Sequence, residues 1–136
     1  MMNLKLSAIM AAFFSRLSSL PVSSLVGGRI YNHVPQTTPT FPYVRYFLAS
    51  SVDWSDKVAQ GLEQEVQVSI WSTEKGDLQV STIADAVIGV MHNAELALPE
   101  GQQNILAQHI STTIFDESDG VTHHAVVRIK LISTST

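Results

Sequence analysis

Apolar residues recur along this chain with two distinct periods, and the switches between them delimit its elements. Leu6, Ile9, Met10, Phe13 and Leu17 fall at i, i+3, i+4, i+7 and i+11, the stripe of an amphipathic helix over roughly residues 3–19. Pro21, inside the serine-rich run Ser18–Ser24, is expected to end it. Gly27-Gly28 then permits a sharp turn, and Pro35, Pro39 and Pro42 keep the next stretch extended. The period becomes two at Tyr43–Ala49, where Val44, Tyr46 and Leu48 share one strand face. Residues 50–62 hold no sustained period and read as a long loop or a hairpin excursion carrying Trp54. Alternation returns over Glu63–Ser72, with Val66, Val68 and Ile70 on one face and Glu65, Gln67, Ser69 and Trp71 on the other.

Helical spacing reappears at Val80, Ile83, Ala84, Val87 and Met91, which predicts a second helix over about 77–93 with Asp77 as N-cap and Asn93 near its end. Gln103–Phe115 reads as a strand with a bulge, because Leu106, Ile110 and Ile114 lie four apart. The Asp116–Gly120 segment is a turn by composition, and Val121–Ile132 alternates again, so the last two strands should pair antiparallel. The tail Ser133–Thr136 is expected to fray. Helix, strand, strand, helix, strand, strand gives an α+β fold: a four-stranded, mostly antiparallel sheet with two helices packed on one face. The other face would carry Tyr43, Phe47, Trp71, Val126 and Arg128, a mixed surface suited to a partner.

Composition narrows the chemistry. The 136 residues are taken as one domain, 1–136, with 45% hydrophobic and only 15% charged residues, a charge content that fits a surface covered by neighbouring subunits. The net charge of −4 and the lack of a basic run argue against binding nucleic acid through phosphates. No cysteine is present, which excludes disulfides, zinc–thiolate sites and cysteine nucleophiles. The apolar stretch after Lys5 superficially resembles a secretion signal, but Arg16 interrupts it and it is too short to span a bilayer.

Candidate chemistry is sparse. Gly27-Gly28 lacks the spacing of a phosphate-binding loop, and no nucleophile elbow occurs. Of the five histidines, His123 and His124 are adjacent on a strand and face opposite ways, so they cannot chelate one metal together; His109 could sit across from one of them. Asp116 and Asp119 are explained by turn chemistry. Trp54, between Asp53 and Asp56, is either a loop anchor on its own fold or a contact for another chain. No cofactor, metal or catalytic group is expected.

The ordered set Gly27-Gly28-Arg29-Ile30-Tyr31, His33-Val34-Pro35-Gln36, then Phe41-Pro42-Tyr43-Val44 resembles the signature of tail-completion (tail-terminator) proteins of long-tailed bacteriophages and gene transfer agents. Val66–Ser72, the Ile83–Met91 helix and the Asp119-Gly120 turn continue the likeness along nearly the whole chain. The resemblance implies a structural, non-enzymatic virion protein. It would form a ring, six copies around a channel, that caps the tail tube and joins it to the head-side neck. The implied partners are further copies of itself, the tail tube protein and a neck or stopper protein. DNA would pass only as cargo, and no membrane would be involved. The implied location is the neck-proximal end of the tail, after assembly in the bacterial host cytoplasm. Arg29, Tyr31, Tyr43, Phe47, Trp54 and Trp71 are the candidate interface residues. The Gly27–Pro42 connector is the candidate for the opposing patch, and Arg45, Arg128 and Lys130 are assigned to subunit contacts or the outer surface, leaving a neutral or acidic channel. Two other readings remain: a small α+β ligand-binding or regulatory module, and a metal-dependent hydrolase.

Overall fold

A computed structural model describes residues 5–34 and 39–135. Its elements run α1 (Leu6–Leu17), α2 (Leu20–Val26), β1 (Ile30–Tyr31), β2 (Tyr43–Asp53), β3 (Gln60–Ser72), α3 (Leu78–Met91), β4 (Gln102–Asp116) and β5 (His123–Ser135). The strands form one sheet in the order β1-β2-β3-β5-β4. Only the β1–β2 pair is parallel; every other neighbour is antiparallel. The α+β architecture is as the periods predict, but there are five strands and three helices among the described residues rather than four and two.

The core is where the two periods agree. Val66, Val68 and Ile70 on β3 and Ala125, Val127, Ile129 and Leu131 on β5 are buried in one cluster with Ile9, Phe13 and Leu17 of α1 and Val80, Ile83, Val87 and Met91 of α3. Val44 and Tyr46 of β2 join it, with Leu48 packed at its margin. The stripe of α1 is displaced slightly from its expected position: Ala12 is buried while Leu6 lies at the exposed end. Arg16 ties α1 to α3 by donating from Nε to the Val90 carbonyl at 2.7 Å, satisfying a carbonyl in the last turn.

Both extra elements arise where proline and glycine read as mere breaks. Pro21 does not stop helical structure; it stands in the first turn of α2, where its missing N–H costs nothing. Gly27 closes α2 in the left-handed region at φ +58, the expected role of a glycine just past a helix. The next residues form β1, pairing Ile30 with Val44 and Tyr31 with Arg45. No single helix is long and apolar enough to cross a membrane.

Three smaller expectations are corrected and two are met. Asp77 makes no side-chain cap to α3; its carbonyl accepts the Ser81 N–H instead. Asn93, just beyond α3, does take positive φ (+59), as an Asn at a helix end can. Residues 50–62 are a hairpin: β2 continues to Asp53, β3 starts at Gln60, and Asp56 accepts from the N–H groups of Val58 and Ala59 to shape the turn. Ser133–Ser135 does not fray. It is flanked by β3 and β4, with Ser133 and Ser135 buried. On β4 the register shifts at two places, between Asn104 and Leu106 and between His109 and Ser111, where the sequence announced one bulge.

Candidate functional site

The helices cover one face of the sheet. On the other, a row of aromatic side chains crosses from edge to edge at one end. Register builds it: Tyr43 on β2 stands opposite Trp71 on β3, Trp71 opposite His124 on β5, and His124 opposite Phe115 on β4. Tyr43 and Trp71 stack at 4.9 Å between centroids with planes 19° apart, and Trp71 and His124 at 4.3 Å and 19°. Phe115 tilts onto His124 at 4.6 Å. At the opposite end, Phe41 and Tyr31 tilt onto Tyr43 at 5.2 Å and 6.2 Å.

The connector that precedes β2 anchors the row. Arg29 donates from Nε to the Pro42 carbonyl at 3.0 Å, and its Nη2 lies 3.5 Å from the Phe41 carbonyl. The Val44 N–H in turn donates to the Arg29 carbonyl. Gly27–Tyr31 and Phe41–Val44, separate strings in the sequence, therefore dock on each other as one unit. Pro35 and Gln36 lie outside the described residues.

Stacked rings spend their faces on one another: Tyr43 is buried and Trp71 and His124 are partly buried, while Phe115 at the far end is 43% exposed. A nucleobase needs an open ring face to stack on, and the centre of this row offers none. What it offers is a stiff, largely apolar strip. Around it the sheet face is polar but internally neutralised. Arg128 pairs with both carboxylate oxygens of Glu65, at 2.5 Å and 3.1 Å, and Lys130 lies 2.7 Å from Glu63. Arg45 stacks over the Phe47 ring at 5.0 Å and donates to the Asn32 carbonyl. The Arg128 contact and the Gln67 amide hold the Glu65 carboxyl below its usual range.

Of the six interface candidates, the structure joins Tyr31, Tyr43 and Trp71 in the row and sets Arg29 behind it as the brace. Phe47 lies further along β2, beside Arg45. Trp54 is remote, at the start of the hairpin turn and 47% exposed. It folds back on its own arm: its N–H donates to the Gly61 carbonyl, and a Cβ at Gly61 would stand 2.7 Å from the Trp54 carbonyl oxygen. Glycine is thus required at Gly61 by a close backbone approach. Phe41, Phe115 and His124 belong to the row but were not among the interface candidates; His124 was weighed only as a metal ligand. Counting outward from the Asp116–Gly120 turn would have brought Phe115 and His124 into register.

His92, His109 and His123 act as ordinary hydrogen-bonding groups, whereas both ring nitrogens of His124 are buried without a well-formed hydrogen bond. His123 Nδ1 lies 2.6 Å from Asp116 and His124 Nδ1 2.8 Å from Glu117. His109 is not across from either; it stands opposite Ile129, bonds Thr112 through Nε2, and its N–H donates to His92. Among the described residues no three His, Asp or Glu side chains are grouped to hold a metal ion. Asp119 accepts from the N–H groups of Val121 and Thr122 and from the Thr122 hydroxyl, which holds its carboxyl below the usual range and accounts for it as a turn residue.

Burial in the row lowers the His124 pKa, with Glu117 opposing. The consequence is a pH dependence of stability. Below the ordinary histidine value of about 6.5, the unfolded chain takes up this proton more readily than the native one. The stabilisation is therefore complete above that pH and is lost as pH falls through the lowered value. Wild type should lose more stability than His124→Phe between pH 7.5 and pH 5 in urea titrations. Parallel losses would show that the row does not resist protonation.

A family model described as tail completion protein gp17 matches residues 11–133. No curated protein matches the sequence significantly. Among solved structures, the fold is similar to a chain from the virion of a native gene transfer agent particle, with TM-score 0.85 at 20% identity, covering 95% of this chain and 96% of that one. A second solved chain is similar at TM-score 0.62 and 17% identity, covering 98% and 97%.

Proposed function

The chain belongs to the tail completion protein gp17 family, and on that premise we propose that it closes the head-side end of a phage-type tail tube as a ring of identical copies. Members of this family are structural components of the virion tail and not enzymes. The proposal adds that the whole chain, 1–136, acts as one tail-terminator-like domain. Six copies surround a channel, one ring face rests on the tail tube protein, and the other meets a neck or stopper protein. Assembly takes place in the cytoplasm of the bacterial host, and DNA passes through the ring as cargo.

The observation that carries this reading is the family match over residues 11–133. The geometry agrees with it on two points. The outer sheet face presents a stiff aromatic strip and self-paired charges, as a surface made for other proteins would. The basic side chains Arg128 and Lys130 are held by acids of their own sheet, which leaves little to grip phosphates in a channel. Tyr31, Tyr43 and Trp71, braced by Arg29, together with Phe47 and Trp54, are proposed to contact neighbouring chains.

Native mass spectrometry of the purified chain tests the ring: the expected species is six times the 14.9 kDa of one copy. Monomer alone throughout the micromolar range would contradict self-assembly. Trp54 gives a second, separable prediction. Trp54→Ala should leave the thermal midpoint of the subunit nearly unchanged, because the side chain is half-exposed on a hairpin tip. It should weaken assembly by about 2 kcal/mol or more, the size of a desolvated tryptophan contact. An early-melting subunit that assembles normally would place Trp54 in the subunit's own stability instead.

A further inference from the structure

We infer that neighbouring copies join by strand addition: the outer edge of β4 in one copy pairs antiparallel with the open edge of β2 in the next. The inference rests on the self-assembly proposed above and specifies its interface. It starts from two unpaired edges on opposite sides of one sheet. Among the described residues, β1 covers only Val44 and Arg45 of β2, so Tyr46–Asp53 has no strand on that side. β4 is the last strand on the other side. Part of its edge is already used, since Asn93 N–H donates to the Ala107 carbonyl and the His109 N–H donates to His92. Ile110–Asp116 remains.

Both open stretches lack the usual protection. Folded proteins blunt exposed edges with charges, prolines or covering loops. Tyr46–Val52 and Ile110–Phe115 contain no charged residue and no proline, and each is followed by a single aspartate, Asp53 or Asp116. The bulge on β4 at Ile110 does not screen the edge with a polar group; Ile110, Ile114 and Phe115 are all over 40% exposed. Two such edges on a freely soluble monomer would invite uncontrolled pairing.

The occupant that fits both edges is a second copy. β2 and β4 run in opposite directions within the sheet, because β2–β3, β3–β5 and β5–β4 are each antiparallel. Copies repeated about an axis along the strands would bring β4 beside the next β2 in antiparallel sense, continuing the alternation. The contact is heterologous and can close into a ring. Its free stretches sit at different levels of the sheet, so the strands must lean away from the ring axis for the staggered pairing to close, as they do in closed sheets.

Size supplies the next constraint. A pairing of this length spans roughly 24 Å by one sheet layer of about 10 Å, well short of the ~800 Å² per partner of a standard interface. The missing area has a source beside each edge. The β2–β3 arm exposes Val52 (56%), Trp54 (47%) and Val58 (93%), and the β4 side exposes Ile110, Ile114, Phe115 and Val121. Antiparallel pairing sets Ile110 towards this arm. It also sets Phe115, the outermost ring of the aromatic row, towards Phe47 of the next copy, so the aromatic strip would continue from subunit to subunit.

The absence of cysteine makes the test clean. Thr113→Cys lies on the outer face of β4, and Phe47→Cys, Ser50→Cys and Val52→Cys lie on the outer face of β2, by their register with Val126, Gln67, Glu65 and Glu63. Thr113→Cys is combined in turn with each of the three, and the assembled protein is oxidised. At least one double variant should give a covalent ladder of dimer, trimer and higher species up to the ring. On a denaturing gel the single variants should give none, and reduction should collapse the ladder to the single-chain band. An oligomer by native mass that yields no ladder with any pair, or that cross-links in the single variants, overturns the edge pairing and leaves the ring intact. A chain that never assembles overturns the ring as well.

Discussion

Val127→Asp is expected to abolish cooperative folding. Val127 is fully buried on β5, between Val68 and Thr112 in register, and belongs to the single cluster shared by the sheet and all three helices. An aspartate there has no cation within the cluster, whose members are all apolar apart from the tyrosine hydroxyl of Tyr46. Burying its charge, or protonating it to avoid that, costs several kcal/mol. Whole domains are stable by only about 5–15 kcal/mol. The variant should therefore lack a cooperative thermal transition by circular dichroism and accumulate in the insoluble fraction. A soluble Val127→Asp protein with a sharp transition would refute this assignment of the core.

Trp71→Ala should produce the second largest loss. Trp71 is the middle of the aromatic row, stacked on Tyr43 at one side and on His124 at the other. Truncation of a large core aromatic costs about 3–5 kcal/mol; Trp71 is partly open to solvent, so roughly 2–3 kcal/mol is expected, or a drop of about 5–15 °C in thermal midpoint. Trp71→Phe should recover most of that loss, because a ring still separates Tyr43 from His124. Equal destabilisation by Ala and Phe would mean that the indole acts through something other than the stack.

These two sites differ in how plainly the sequence announced them. Val127 sits in an unbroken alternation with Ala125, Ile129 and Leu131, and period two over that length has one reading. The row is different. Tyr43 and Trp71 could be placed on the outer face, but which ring meets which depends on cross-strand register, and register is set by bulges and turn geometry rather than by any local string. Phe115 and His124 were hidden for that reason. The hairpin at 50–62 was obscured by its arm, where Ser50, Ser51, Val52 and Asp53 alternate no hydrophobicity because the β2 side of the arm is exposed. β1 was missed because two residues have no measurable period. α2 was missed because Pro21, read as a stop, stands in the one part of a helix that tolerates it. Ser133–Ser135 looked like a polar tail, yet its backbone is fixed between β3 and β4, and serine is small enough to be buried there.

The candidate interface was legible as a set of residues and not as a surface. Arg29 was singled out within the Gly27–Tyr31 string. Its structural role is to hold the carbonyls of Phe41 and Pro42, which docks the Gly27–Tyr31 string on the Phe41–Val44 string. Phe47 and Trp54 lie apart from the row within one subunit. In the edge-paired arrangement both come to the border with the next copy, Phe47 beside Phe115 and Trp54 on the arm that supplies the missing area.

Electron cryo-microscopy of an intact particle tests the proposed closed ring at the head-side end of the tail tube. The expected density is one ring of six copies between tube and neck, with a channel wide enough for duplex DNA and a neutral or acidic lining. Density for the chain elsewhere in the particle, or a ring lined by clustered arginines, would contradict it.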